Sequence, residues 1–172
     1  MIRFFIRGSL YTFLLIIILL VQFIFLFFLP SPFNKINVIM IALMIMLLSS
    51  DNGRVVWFAA LIYFCLELYA ITPFGILFAS GTLSMLFLVW IYRSLFTNRS
   101  LVAAAALTAV GLFLYRVLYS IGIFMVSSEW DWNAVLTTYG FEFIVSVPTG
   151  ALIYAIISRL LTQLKIGELP QP

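Results

Sequence analysis

The sequence predicts an all-α membrane protein of six transmembrane helices in one bundle, with both termini on the cytoplasmic side. Three observations predict it. First, 65% of the 172 residues are hydrophobic and only 9% are charged, with a mean hydropathy of +1.22, whereas a soluble domain carries about 25% charged residues. Second, several apolar runs approach the roughly 20 residues that cross a hydrocarbon core as a helix, and no strand-like alternation suggests a β-barrel. Third, the charges are distributed with a strong side preference, described below.

The first helix is expected over residues 9–29, ended by Pro30 and Pro32. Arg3 and Arg7 precede it as in a signal peptide, but its apolar stretch is long and lacks a small-residue cleavage pattern, so it reads as a retained anchor. The second helix, residues 36–50, rises only about 22 Å. It therefore extends through Phe33, thins the bilayer locally, or is sheltered by neighbours. The turn SSDNGR leads to a third helix at 55–71, which Thr72-Pro73 ends. The fourth helix covers 74–96, the fifth 101–126 and the sixth 135–164, with Pro148 inside it as an expected kink. All links are short, so the chain forms a single integral-membrane domain over 1–172.

With the N-terminus inside, Arg3, Arg7, Arg54, Arg93, Arg99, Arg159 and Lys165 fall on the cytoplasmic side and only Lys35 among the bases falls outside. This satisfies the positive-inside rule and predicts six spans. The same distribution explains the net charge of +3 without a nucleic-acid partner, because no basic cluster exists.

Three ionisable residues remain within the expected spans: Glu67, Arg116 and Glu142. At 1.5 Å per residue they lie about 20–25 Å from the cytoplasmic helix ends, at one level in the outer half of the membrane. A lone charge there costs about 2.5–3.5 kcal/mol on insertion scales, so Arg116 is expected to face Glu67, Glu142 or both. Two readings stay open: an ion pair that locks helices three, five and six, or a polar cavity for a ligand or partner. Tyr63, Tyr69, Tyr115, Tyr119 and Tyr139 share this level, either completing the network or forming an interfacial belt, and Trp130 and Trp132 read as belt residues.

Small residues four apart mark expected helix contacts: Gly75 and Ala79, Ser80 and Ser84, Ala105 and Ala109, Ser146 and Gly150. Histidine is absent and Cys65 is the single cysteine, so the commonest metal ligand and general base are missing. No GK[ST] phosphate loop, HExxH, CxxC or GxSxG occurs. These features point away from an enzyme, a metal site or a cofactor.

The stretches PFNKINVIMIALMIML and GRVVWFAALIYFCLELYAITPFGILFASGTLSMLFLVWIYRSL resemble the rod-shape-determining MreD family. The resemblance spans Pro30 to Leu95. It rests on a proline-led second span, an acid late in the third (Glu67, where the family usually has Asp), the Pro73-Phe74-Gly75 turn opening the fourth, and Arg93 at its end. It implies a non-enzymatic scaffold of bacterial cell-wall elongation in the cytoplasmic membrane. Its partner would be a bitopic MreC-like protein and, through it, actin-like MreB filaments and peptidoglycan synthases. It also implies a fold like that of the substrate-binding subunits of energy-coupling-factor vitamin transporters, which keeps a transport subunit as the alternative. In this reading Glu67 pairs with Arg116, and Pro73 and Gly75 return the chain at once.

Overall fold

Proline and glycine punctuation divides the chain into six α-helices in the computed structural model, which describes residues 2–31, 33–50, 53–95, 100–126 and 132–166. They are α1 (Ile2–Phe28), α2 (Val38–Ser50), α3 (Arg54–Glu67), α4 (Ile76–Leu95), α5 (Leu101–Val126) and α6 (Trp132–Ile166), with a short 3₁₀ turn at Phe33–Lys35 before α2. Among the described residues, three helices are long and apolar enough to cross a membrane: Ile76–Leu95, Leu101–Val126 and the Val135–Leu160 part of α6. Pro148 lies inside α6 as expected. Asp51 and Asn52 of the SSDNGR turn, Arg99, Trp130 and the side chain of Trp132 fall outside what is described.

The short second helix is sheltered by its neighbours. Ile39, Met40, Ile41, Leu43, Met44, Leu47 and Leu48 are all at most 3% exposed, the pattern of a helix that is apolar all round because it sits in the core. It touches α1, α3, α5 and α6. The most extensive packing runs α3 to α4 to α5 to α6. The outer surface is apolar, with Phe13, Trp57, Phe74, Ile144 and Leu152 among the exposed side chains. Lipid requires such a surface.

Small residues set the closest approaches, though not all those expected. Ser80, Ser84, Ser146 and Gly150 are buried, Ala105 and Ala109 are only half-buried, and Ala79 is exposed. The buried seam of α5 is instead Ala104, Leu107, Thr108, Gly111, Leu112 and Tyr115, spaced three and four apart as one helix face. Among the described glycines the tightest contact is at Gly81, where a Cβ would run into the ring of Tyr63. Gly81→Ala is therefore expected to destabilise the fold by about 1–3 kcal/mol through overpacking, read as a lowered unfolding midpoint in detergent.

Three boundaries correct the sequence reading. The third helix ends at Glu67, not residue 71, and the fourth starts at Ile76, not 74. The chain does not return at once at Pro73. It unwinds through Tyr69 N–H to Leu66 C=O and Ala70 N–H to Glu67 C=O bonds, then crosses residues 68–75 as an irregular link. Proline disfavours helical backbone at the residue before it, and Gly75 adopts φ +99°, which glycine reaches without steric cost. The first helix also starts earlier, at Ile2 rather than residue 9.

Candidate functional site

Two helices begin beside buried polar side chains, α2 beside Glu142 and Ser146 and α4 beside Glu67. The first four N–H groups of any helix lack partners within it, and in an apolar interior water cannot supply them. At α2, Asn37 stands just ahead of the helix and accepts the Met40 N–H on Oδ1 at 3.0 Å, an N-cap bond. Gln22 of α1 accepts the Val38 N–H at 2.8 Å. The Asn37 N–H itself donates to Ser146 Oγ of α6 at 2.9 Å.

The Asn37 amide carries this cap onward. Its Nδ2 donates to Glu142 Oε1 at 2.8 Å, and Arg116 Nε donates to Glu142 Oε2 at 2.5 Å. Glu142 and Ser146 are four apart on α6 and so share a face. Glu142 is 2% exposed on its side chain and Arg116 22%. The guanidinium is caged by tyrosines, with its carbon 4.6 Å from the ring centre of Tyr139, 5.1 Å from Tyr115 and 5.9 Å from Tyr119. Tyr115 in turn packs at a tilt against Tyr63 with ring centres 5.4 Å apart, and Tyr139 bonds Ser120 at 3.1 Å. Tyr63 and Tyr115 are thus core residues rather than belt residues.

Glu67 does something else. Gly75 N–H donates to its Oε1 at 3.0 Å and Phe78 N–H to its Oε2 at 2.5 Å. The expected pairing of Glu67 with Arg116 is therefore wrong: Arg116 is bonded to Glu142, and both Glu67 oxygens sit on the start of α4. The physical reason lies in the turn. Gly75 precedes α4, where a Ser, Thr, Asn or Asp would normally cap, and Phe78 occupies the position from which a Glu would reach back. The φ of +99° at Gly75 favours a residue with no side chain. Glu67, at the end of the preceding helix, supplies both missing bonds, and its negative charge suits the positive end of the α4 dipole.

Two cavities flank Arg116. One, of about 500 Å³, lies among α1, the Asn34–Asn37 segment, α3, α5 and α6, and Tyr69, Arg116 and Glu142 line it. The other, of about 680 Å³, is an apolar groove between α5 and α6, lined by Phe113, Phe124 and Leu136 with Arg116 and Tyr139. The sequence reading missed Gln22, Asn34, Lys35 and Asn37 as parts of this region. Asn37 carried a signal, because Asn immediately before an apolar run is a helix-start mark. Gln22 carried a weaker one, as an amide within the first apolar stretch. Among the described residues no group of three His, Cys, Asp or Glu side chains is arranged to hold a metal.

Comparison of the chain with known protein families, curated proteins and solved structures yields no match.

Proposed function

We propose that this protein is a non-enzymatic scaffold of bacterial cell-wall elongation, acting in the cytoplasmic membrane by binding a bitopic MreC-like protein. Six spans with both termini cytoplasmic complete the reading. The observation that carries it is the α3–α4 corner. The residues on which the MreD resemblance rests, Glu67 and the Pro73-Phe74-Gly75 turn, form one built element, with the acid bonded to the backbone of Gly75 and Phe78. Such a lock holds an exposed aromatic face in place. Phe64 meets Phe74 edge-on at 6.4 Å and Phe78 at 6.2 Å, and Phe74 is 74% exposed. Large apolar side chains on a fixed frame suit packing against a partner helix. The topology has one further support: Gly53 lies beside Arg93, with a Cβ there 3.6 Å from its guanidinium, so Arg54 and Arg93 share one end of the bundle, as positive-inside demands.

The cavity beside Arg116 favours a second reading, a substrate-binding subunit of a small-molecule transporter. One experiment separates them. The tagged protein is captured from its native membrane in mild detergent and its companions are identified by mass spectrometry. The scaffold reading expects a bitopic coiled-coil protein and cell-wall synthases, with recovery reduced by Phe74→Ser. Recovery of ATPases with a second membrane coupling subunit overturns it.

A further inference from the structure

The 500 Å³ cavity has features that neither helix capping nor packing explains. Protein interiors are close-packed, and a space of this size is in the range of small-molecule sites. Buried polar atoms almost always have partners, yet two residues lining this cavity carry buried atoms without one among the described residues: the hydroxyl of Tyr63 and Oδ1 of Asn34. Tyr63 is only 2% exposed, so its hydroxyl has no access to solvent to compensate.

The charges are also unbalanced. Lys35 and Arg116 line the cavity against the single acid Glu142. Glu142 engages Arg116 through Nε alone, which leaves the two terminal guanidinium nitrogens without a hydrogen-bond partner among the described residues. Lys35 Nζ lies 5.2 Å from the ring centre of Phe141 and has no carboxylate within ion-pair distance among the described residues. The walls are aromatic, formed by Phe23, Tyr63, Tyr69 and Tyr115.

We propose that this cavity binds a small amphiphilic anion, with its negative group between Lys35 and the terminal nitrogens of Arg116 and its flat or apolar body against the aromatic wall. The Tyr63 hydroxyl and Asn34 Oδ1 bond its polar edge. The chemistry is common to a free aromatic carboxylate and to the headgroup of an anionic lipid. This site stands independently of the scaffold reading, since it uses neither the α3–α4 corner nor a partner protein.

The test uses the full chain, purified in nanodiscs of phosphatidylcholine. Indole-3-acetate is titrated and followed by saturation-transfer NMR, with tryptamine as the cationic counterpart of the same shape. A parallel preparation in discs containing phosphatidylglycerol is examined by native mass spectrometry for retained lipid. The expected result is saturable binding of indole-3-acetate, or retention of phosphatidylglycerol, but not of tryptamine. Lys35→Gln weakens that binding about tenfold through loss of a charge-assisted contact. Tyr63→Phe weakens it severalfold while leaving the unfolding midpoint unchanged or higher, because it deletes an unpartnered hydroxyl. Binding of indole-3-acetate alone identifies a free carboxylate as the occupant, and retention of phosphatidylglycerol alone identifies lipid. The proposal is overturned if neither anion binds saturably, if tryptamine binds as well as indole-3-acetate, or if Lys35→Gln has no effect. Because the readout needs only the purified chain, loss of the MreC-like partner in the capture experiment leaves it unaffected.

Discussion

Glu67→Ala is expected to lower the unfolding free energy by about 2–5 kcal/mol, measured by denaturant titration in detergent. Two partly buried backbone donors, on Gly75 and Phe78, lose their acceptor, the buried Glu67, and each polar group left unsatisfied away from water costs about 1–3 kcal/mol. Glu67→Gln keeps one acceptor oxygen but turns an amide N–H₂ toward the other donor, so it falls between Ala and the native protein. The sharper test concerns Arg116. If Glu67 serves α4 alone, a double-mutant cycle with Arg116 is additive to within about 0.5 kcal/mol. A coupling well above 1 kcal/mol would show that Glu67 is part of the Arg116 ion pair after all.

The second large effect lies across the bundle. Removing one partner of a buried ion pair costs about 3–5 kcal/mol because the other charge is stranded. Glu142→Ala strands Arg116 and also removes the acceptor of Asn37, so it is the more damaging single change. Arg116→Ala leaves Glu142 with the Asn37 bond alone. The pair Arg116→Met, Glu142→Leu removes both charges at similar volume and is expected to be much milder than the two single losses added together. Strict additivity of the two alanine changes in the same unfolding assay would sink the pairing.

These effects bear on what the residues reveal unaided. Composition and apolar runs made the helical class plain, and the common depth of Arg116 and Glu142 was enough to place them together, since a charge in lipid needs an opposite charge nearby. Depth alone could not choose between two acids. The choice fell to the local geometry at Gly75, whose positive φ follows from the whole path of the 68–75 link and not from the spacing of residues. The helix seam shows the same limit. Ala105 and Ala109 had the right spacing, but helix rotation is set by which neighbours must be faced, and it put Ala104, Thr108 and Gly111 inward instead. Gly81 was invisible as a contact because its partner, Tyr63, comes from another helix.

The buried start of α2 has a consequence for how the chain is made. Asn37 is bonded to Glu142 and Ser146, residues that follow it by 105 and 109 positions. When α2 leaves the ribosome, the α6 side chains that hold its capping residue have not yet been synthesised. Gln22 and Asn37 are already present, so the first turn can be capped during elongation, while the two bonds that hold Asn37 wait for α6. The second helix is thus among the first made and the last secured. A nascent chain released before residue 142 would leave the Asn37 N–H and Nδ2 without the two acceptors that α6 supplies.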